Sequence, residues 1–156
     1  MMDFQEWVGL LGRAAQEPEV RDALARAGIT GRVKIGRQEL STREDIAGEG
    51  MTIVFTDETI LRPDNPGSIL NRPIISAVMV VLGQPNEKNV YKGPLPYRFT
   101  KGDSQAAVRA RLGPPARINE KYQADAWEID GMTLAACYSE DLLSLEQVSL
   151  SLPNSH

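Results

Sequence analysis

The sequence has 156 residues and a single cysteine; 42% of it is hydrophobic, and 17 Lys and Arg stand against 21 Asp and Glu, a formal charge of −4. A chain of this length can bury about 70% of its unfolded surface, and the apolar content excludes a disordered polymer. With lysines and arginines scattered rather than gathered in a stripe, the negative balance disfavours direct nucleic-acid binding and makes a basic protein the more natural partner.

Asp3 followed by Glu6 reads as a capping box, and Phe4, Trp7, Val8, Leu11 and Ala15 then share one helical face, predicting an amphipathic helix of about three turns. Pro18 suits a first helical position, and Val20, Ala23, Leu24 and Ala27 carry a second helix to Gly28, completing an N-terminal helical hairpin. Asp3 and Glu6 stand where a secretory signal carries positive charge, and no apolar run is long enough to cross a bilayer, so a cytoplasmic protein with no membrane partner is expected. From Arg32 the period becomes two: RVKIGR alternates Val33 and Ile35 against charged neighbours, MTIVFTD is apolar and β-branched, and IISAVMVVL, Ile74 to Leu82, is stronger still. These three read as a β-meander. Between the last two lies DETILRPDNPGSILNRP, Asp57 to Pro73, a long exposed loop dense in Pro, Asn and Gly.

Residues 83–97, GQPNEKNVYKGPLPY, show no periodicity and read as a linker between a first unit at 1–82 and a second at 98–156. In the second unit Asp103 or Ser104 caps a short helix with Ala107, Val108 and Leu112 inward, and Gly113, Pro114 and Pro115 end it. ADAWEIDGMTLAACYSE is a pair of strands about an Asp130-Gly131 turn, and LEQVSLSL alternates, with Val148, Leu150 and Leu152 on one side. The tripeptide GMT opens an apolar strand at Gly50 and again at Gly131, each time after similar helix text, EVRDALARAG against AVRARLG, and before a terminal strand. The chain therefore reads as an α+β fold of two tandem helix-plus-antiparallel-meander repeats packed into one body.

The chemistry is sparse. His156 is the last residue, so neither Cys137 nor any serine has a well-placed base, and Cys137 in an apolar strand reads as a core residue. Neither DNPGS nor SED has the spacing of a cation loop, and in TKGDS an aspartate stands where a bound phosphate would sit, so no metal and no cofactor is expected. Arg109 and Arg111 read as a solvated helix face, and Trp7 and Trp127 as core. A profile of polar loops and clustered acids without a reactive constellation suits a binding protein rather than an enzyme.

The run GPLPYRFTKGDSQAAVRARLGPP, followed by AWEIDGMTLAACYSED and LEQVSLSL, resembles the repeat of small bacterial immunity proteins encoded beside polymorphic toxins, including type VI secretion and Rhs-type effectors. The lead-in to the short helix is also similar to a small outer-membrane-assembly lipoprotein fold, whose lipidated cysteine after a signal peptide has no counterpart in this sequence. The first resemblance implies a non-catalytic inhibitor of one cognate toxin acting in the cytoplasm: a nuclease, an ADP-ribosyltransferase or a nucleotide-degrading enzyme. Acids at strand ends would steer such a protein to a basic active-site mouth. The expected contacts are Asp57, Glu58, Arg62, Asp64 and Asn65 in the long loop, joined by Glu140 and Asp141 at the same end of the second repeat if the two copies run alike. Two other readings make separate demands: a chaperone or adaptor for a secreted effector binds the delivery region, and an enzyme needs a deep pocket with convergent polar groups.

Overall fold

The computed structural model describes residues 2–83 and 88–154; residues 84–87 of the expected linker, and His156, lie outside them. The architecture is mixed α+β: helices α1 (Phe4–Val8), α2 (Pro18–Arg26), α3 (Glu58–Leu61) and α4 (Gln105–Leu112) accompany one seven-stranded sheet. Its strands are β1 (Ser41–Ile46), β2 (Met51–Asp57), β3 (Pro73–Val81), β4 (Arg117–Asn119), β5 (Ala124–Ile129), β6 (Met132–Tyr138) and β7 (Leu145–Ser151), in spatial order β1-β2-β3-β7-β6-β5-β4. Every neighbouring pair is antiparallel.

The register aligns Ile53, Val78, Leu150, Leu134 and Trp127 in one row across the sheet, all of them buried. Period-two alternation turns this row to one face, where Phe4, Trp7, Val20, Leu24 and Val108 pack on it. Each fully buried aliphatic or aromatic side chain contributes about 1.5–3 kcal/mol, so this shared core ties the two meanders together. One step along the strands, the row Thr52, Met79, Ser149, Ala135 and Ala126 lies on the other, half-buried face.

Several expectations need correction. RVKIGR forms no strand: its place beside β2 is taken by Ser41–Ile46, a polar segment that serves as an edge strand. Edge strands that carry charge on their exposed positions resist pairing with other chains, which is why this one shows no apolar alternation. α1 ends at Val8, not Ala15: after Gly9 the chain turns, Gly12 N–H donates to Ile75 O at 2.8 Å, and Ala14 bridges Ile74. Cys137 is half-buried on the outer face opposite Gln147 and Ala124, and burial raises its thiol pKa above the ordinary value. β4 carries no sequence signal because all of its residues are exposed.

The described part of the expected linker is a strap. Tyr91 N–H donates to Val81 O at 2.8 Å, and the Tyr91 hydroxyl accepts from Phe4 N–H at 2.9 Å while donating to Pro94 O at 2.8 Å. Asn89 Oδ1 accepts from Gly50 N–H at 2.9 Å. Gly50 has φ of 64°, and a Cβ there would run into the backbone of Val90 and Tyr91. Elsewhere the local signals hold: Asp3 and Glu6 close a capping box, Ser104 caps α4 through Ala107 N–H at 3.1 Å, and Asp130 and Gly131 make the hairpin turn with φ of 54° and 77°.

Candidate functional site

The segment between β2 and β3 is built around two carboxylates. Asp57 and Glu58 are each only 4% exposed, and a carboxylate so withdrawn from water is costly unless its oxygens are occupied. Asp57 Oδ1 accepts from Thr59 N–H at 2.9 Å and Thr59 Oγ1–H at 2.6 Å, and its Oδ2 accepts from Asn71 N–H at 2.7 Å. Glu58 Oε1 accepts from Ile69 N–H at 2.8 Å, and its Oε2 pairs with Arg62 at 3.1 Å. Arg62 reaches on to Gly12 O at 2.9 Å, and Asn65 Oδ1 accepts from Gly67 N–H at 2.9 Å. The two acids thus pin both sides of the loop, and Arg62 pins it to the N-terminal turn.

What this scaffold displays is apolar. Ile69 is 53% exposed and Leu70 69%, side by side between the amides that Glu58 and Asp57 hold. Leu40, 47% exposed, is tied to the start of this segment, its carbonyl accepting from Asp57 N–H at 3.2 Å. Asp64 and Asn65 are exposed earlier in the same loop, where Asn65 O accepts from Ser68 N–H at 3.0 Å. Large exposed apolar groups gathered on a fixed loop mark a docking surface more specifically than isolated ones. Of the expected contacts, Asp64 and Asn65 therefore face solvent, Arg62 is shared between the loop and Gly12, and Asp57 and Glu58 are occupied internally. Ile69 and Leu70 carry no sequence signal, being two adjacent apolar residues in a polar stretch that fit neither the helical nor the strand period.

Glu140 and Asp141 are placed elsewhere. Because β3 and β7 are antiparallel, β2 and β7 run one way and β3 and β6 the other. The Asp57 loop therefore shares an end of the sheet with the Asp130-Gly131 turn, and the loop after β6 lies at the opposite end, roughly 20 Å away along a seven-residue strand. The expectation of one shared end fails because the halves meet in opposite directions. Within the second loop Asp141 Oδ1 accepts from Ser139 Oγ–H at 2.6 Å and Leu143 N–H at 3.1 Å, contacts that hold its pKa below the ordinary value. Glu140 is exposed, as is Leu143 at 64%.

In the second unit Arg109, expected on a solvated helix face, joins a polar cluster around a buried aspartate. Arg109 on α4 makes a bidentate pair with Asp125 on β5, both contacts at 2.8 Å, and Asp125 is 1% exposed. The Tyr138 hydroxyl donates to Asp125 Oδ2 at 3.2 Å, and burial followed by the neighbouring carboxylate pushes the phenol pKa well up. Arg111 pairs with Asp103 at 3.1 Å and lies over the Phe99 ring. Trp127 is buried, with its indole N–H donating to Gly113 O at 3.0 Å. These contacts clamp α4 to the sheet.

Between α2 and residues 29–35 runs a cleft of about 1030 Å³ whose far wall includes Asn71 and Pro73, at the end of the same loop. Among the described residues no group of three or more His, Cys, Asp and Glu side chains is placed to hold a metal ion, and no helix is long and apolar enough to cross a membrane. No family model, curated protein or solved structure matches the chain.

Proposed function

We propose that the chain is an immunity protein, a non-catalytic binder that neutralises a cognate antibacterial toxin in the cytoplasm by covering its active site. The carrying observation is the loop after β2, where two buried carboxylates fix a segment that presents Ile69 and Leu70 to solvent. Pre-organisation removes ordering cost at docking, and apolar anchors with a polar rim are the anatomy of a tight interface. Asp64 and Asn65 supply that rim, and the net charge of −4 favours a basic toxin such as a nuclease. ADP-ribosyltransferases and nucleotide-degrading enzymes are the other candidate toxins.

The two meanders are, in this reading, copies of one unit. The order β1-β2-β3-β7-β6-β5 sets the last strands together at the centre, as a local two-fold axis would. Val20 and Val108 occupy matching buried helix positions, and Gly50 and Gly131 both take positive φ before the second strand of their copies. The N-terminal helical hairpin would be the first copy's elaboration of the single helix α4.

The decisive experiment co-expresses the protein with the product of the adjacent upstream gene, the first candidate toxin, and measures complex formation and survival. Replacing both anchors, Ile69→Asp with Leu70→Asp, should cost about 2 kcal/mol or more per anchor, so affinity falls at least several hundredfold while the melting temperature holds. Full protection by the double variant would overturn the reading of this loop. Binding to a truncated effector that lacks its toxic domain would favour an effector chaperone instead.

A further inference from the structure

Residues 32–37, RVKIGR, carry the alternation of a strand, yet none of them enters the sheet. Among the described residues, the backbone N–H and C=O groups of residues 30–35 take no hydrogen bond. These six residues leave their backbone groups open along a cleft wall, and past the bend at Gly31 they offer what an unpaired sheet edge offers. Val33 is buried at 7% exposure, so the segment is anchored while its backbone is not paired.

The side chains around the cleft specify what would fit. Leu24, Ala25, Ile29, Val33, Ile35 and Pro73 make its apolar lining, and Arg21, Arg32 and Lys34 its cations. Among the described residues none of these three cations makes an ion pair, and the cleft's one acid, Asp22, is already bound to Arg26 at 3.0 Å. In a chain of net charge −4 this is a local positive site with strand-forming backbone beside it. Arg32 and Lys34 are both exposed and share one face of the extended segment, opposite Val33 and Ile35.

We infer that residues 31–36 form a latent strand that pairs with an extended acidic segment of a protein partner lying in this cleft. The added strand would set Asp or Glu side chains opposite Arg32 and Lys34, and apolar side chains opposite Val33 and Ile35, as cross-strand neighbours on each face. Main-chain hydrogen bonds would supply affinity, and the alternation of charge would supply selectivity. The inference stands whether or not the partner is a toxin, because it rests on the cleft and not on the Ile69 and Leu70 surface.

The test uses the full chain and three synthetic blocked octapeptides: alternating Glu and Val, alternating Lys and Val, and an acidic one with proline at alternate positions to remove amide donors. Titration calorimetry and amide hydrogen exchange are read for each. The Glu/Val peptide should bind, protect amides within residues 31–36, and lose at least tenfold in affinity against the Arg32→Glu, Lys34→Glu double variant, whose exposed substitutions leave the fold intact. The Lys/Val and proline-interrupted peptides should bind at least tenfold more weakly. The inference is overturned if the Glu/Val peptide fails to bind, if the proline-interrupted peptide binds as well as it does, or if protection appears away from residues 31–36.

Discussion

Asp57→Ala separates a residue that holds the loop from one that touches a partner. The substitution removes the acceptor for Thr59 N–H, Thr59 Oγ1–H and Asn71 N–H at a site 4% exposed. Hydrogen bonds to a charged group are worth about 1.5–3 kcal/mol each, but Asn71 is exposed, so water can reach its freed amide and reduce the loss. The net destabilisation should be about 2–4 kcal/mol, lowering the melting temperature of a domain this size by roughly 5–15 °C. Asp57→Asn should recover only part of this, because the new amide group turns a donor toward Thr59 or Asn71. Thermal denaturation followed by circular dichroism gives the shift, and hydrogen exchange at Ile69 and Asn71 should accelerate in parallel. An unchanged melting temperature combined with lost partner binding would refute the structural role and return Asp57 to the list of direct contacts.

Asp125→Ala should cost about 2–4 kcal/mol by urea denaturation: it removes the acceptor of the buried Tyr138 hydroxyl and of Arg109, whose 34% exposed side chain lets water recover part of the loss. Arg117→Ala, which breaks only the exposed pair with Glu128, should shift stability by less than about 1 kcal/mol. Gly50→Ala should destabilise by more than about 2 kcal/mol in the same assay, because its Cβ meets backbone and its φ is positive. The raised Tyr138 pKa means that the folded state favours the neutral phenol: stability is intact below the ordinary tyrosine pKa near 10 and falls as pH rises above it. Tyr138→Phe should flatten that alkaline decline in a pH series of denaturation curves, leaving the smaller contributions of Tyr91 and Tyr97, whose pKa values are also raised by burial.

The parts of the fold legible in the sequence are those where side-chain pattern and burial coincide. β2, β3, β6 and β7 are apolar or β-branched because they lie in the middle of the sheet, and the Asp130-Gly131 turn is written in residues that accept positive φ. β1 was missed because an edge strand is selected to look polar, and RVKIGR was misassigned because alternation reports a half-buried extended chain, paired or not. At the candidate site, the sequence located the loop but not the roles within it. Asp57 and Glu58 look like surface acids until Thr59, Ile69 and Asn71 are known to fold back on them, and Arg109 looks solvated until Asp125 arrives from a different strand. The separation of Glu140 and Asp141 from the first loop depended on how the halves join, which no local pattern encodes.

That junction also governs assembly of the molecule in time. The hairpins β1-β2 and β5-β6 join residues close in the chain, whereas the central pairing of β3 with β7 brings together positions as distant as Ala77 and Ser151. Closing so long a segment costs entropy before any contact rewards it, so each meander can form locally while the middle of the sheet waits for the two to meet. Until then β3 and β7 expose their strongest strand sequences as unpaired edges. The interval between synthesis of β3 and synthesis of β7 is therefore when this chain is most open to mispairing with another copy of itself.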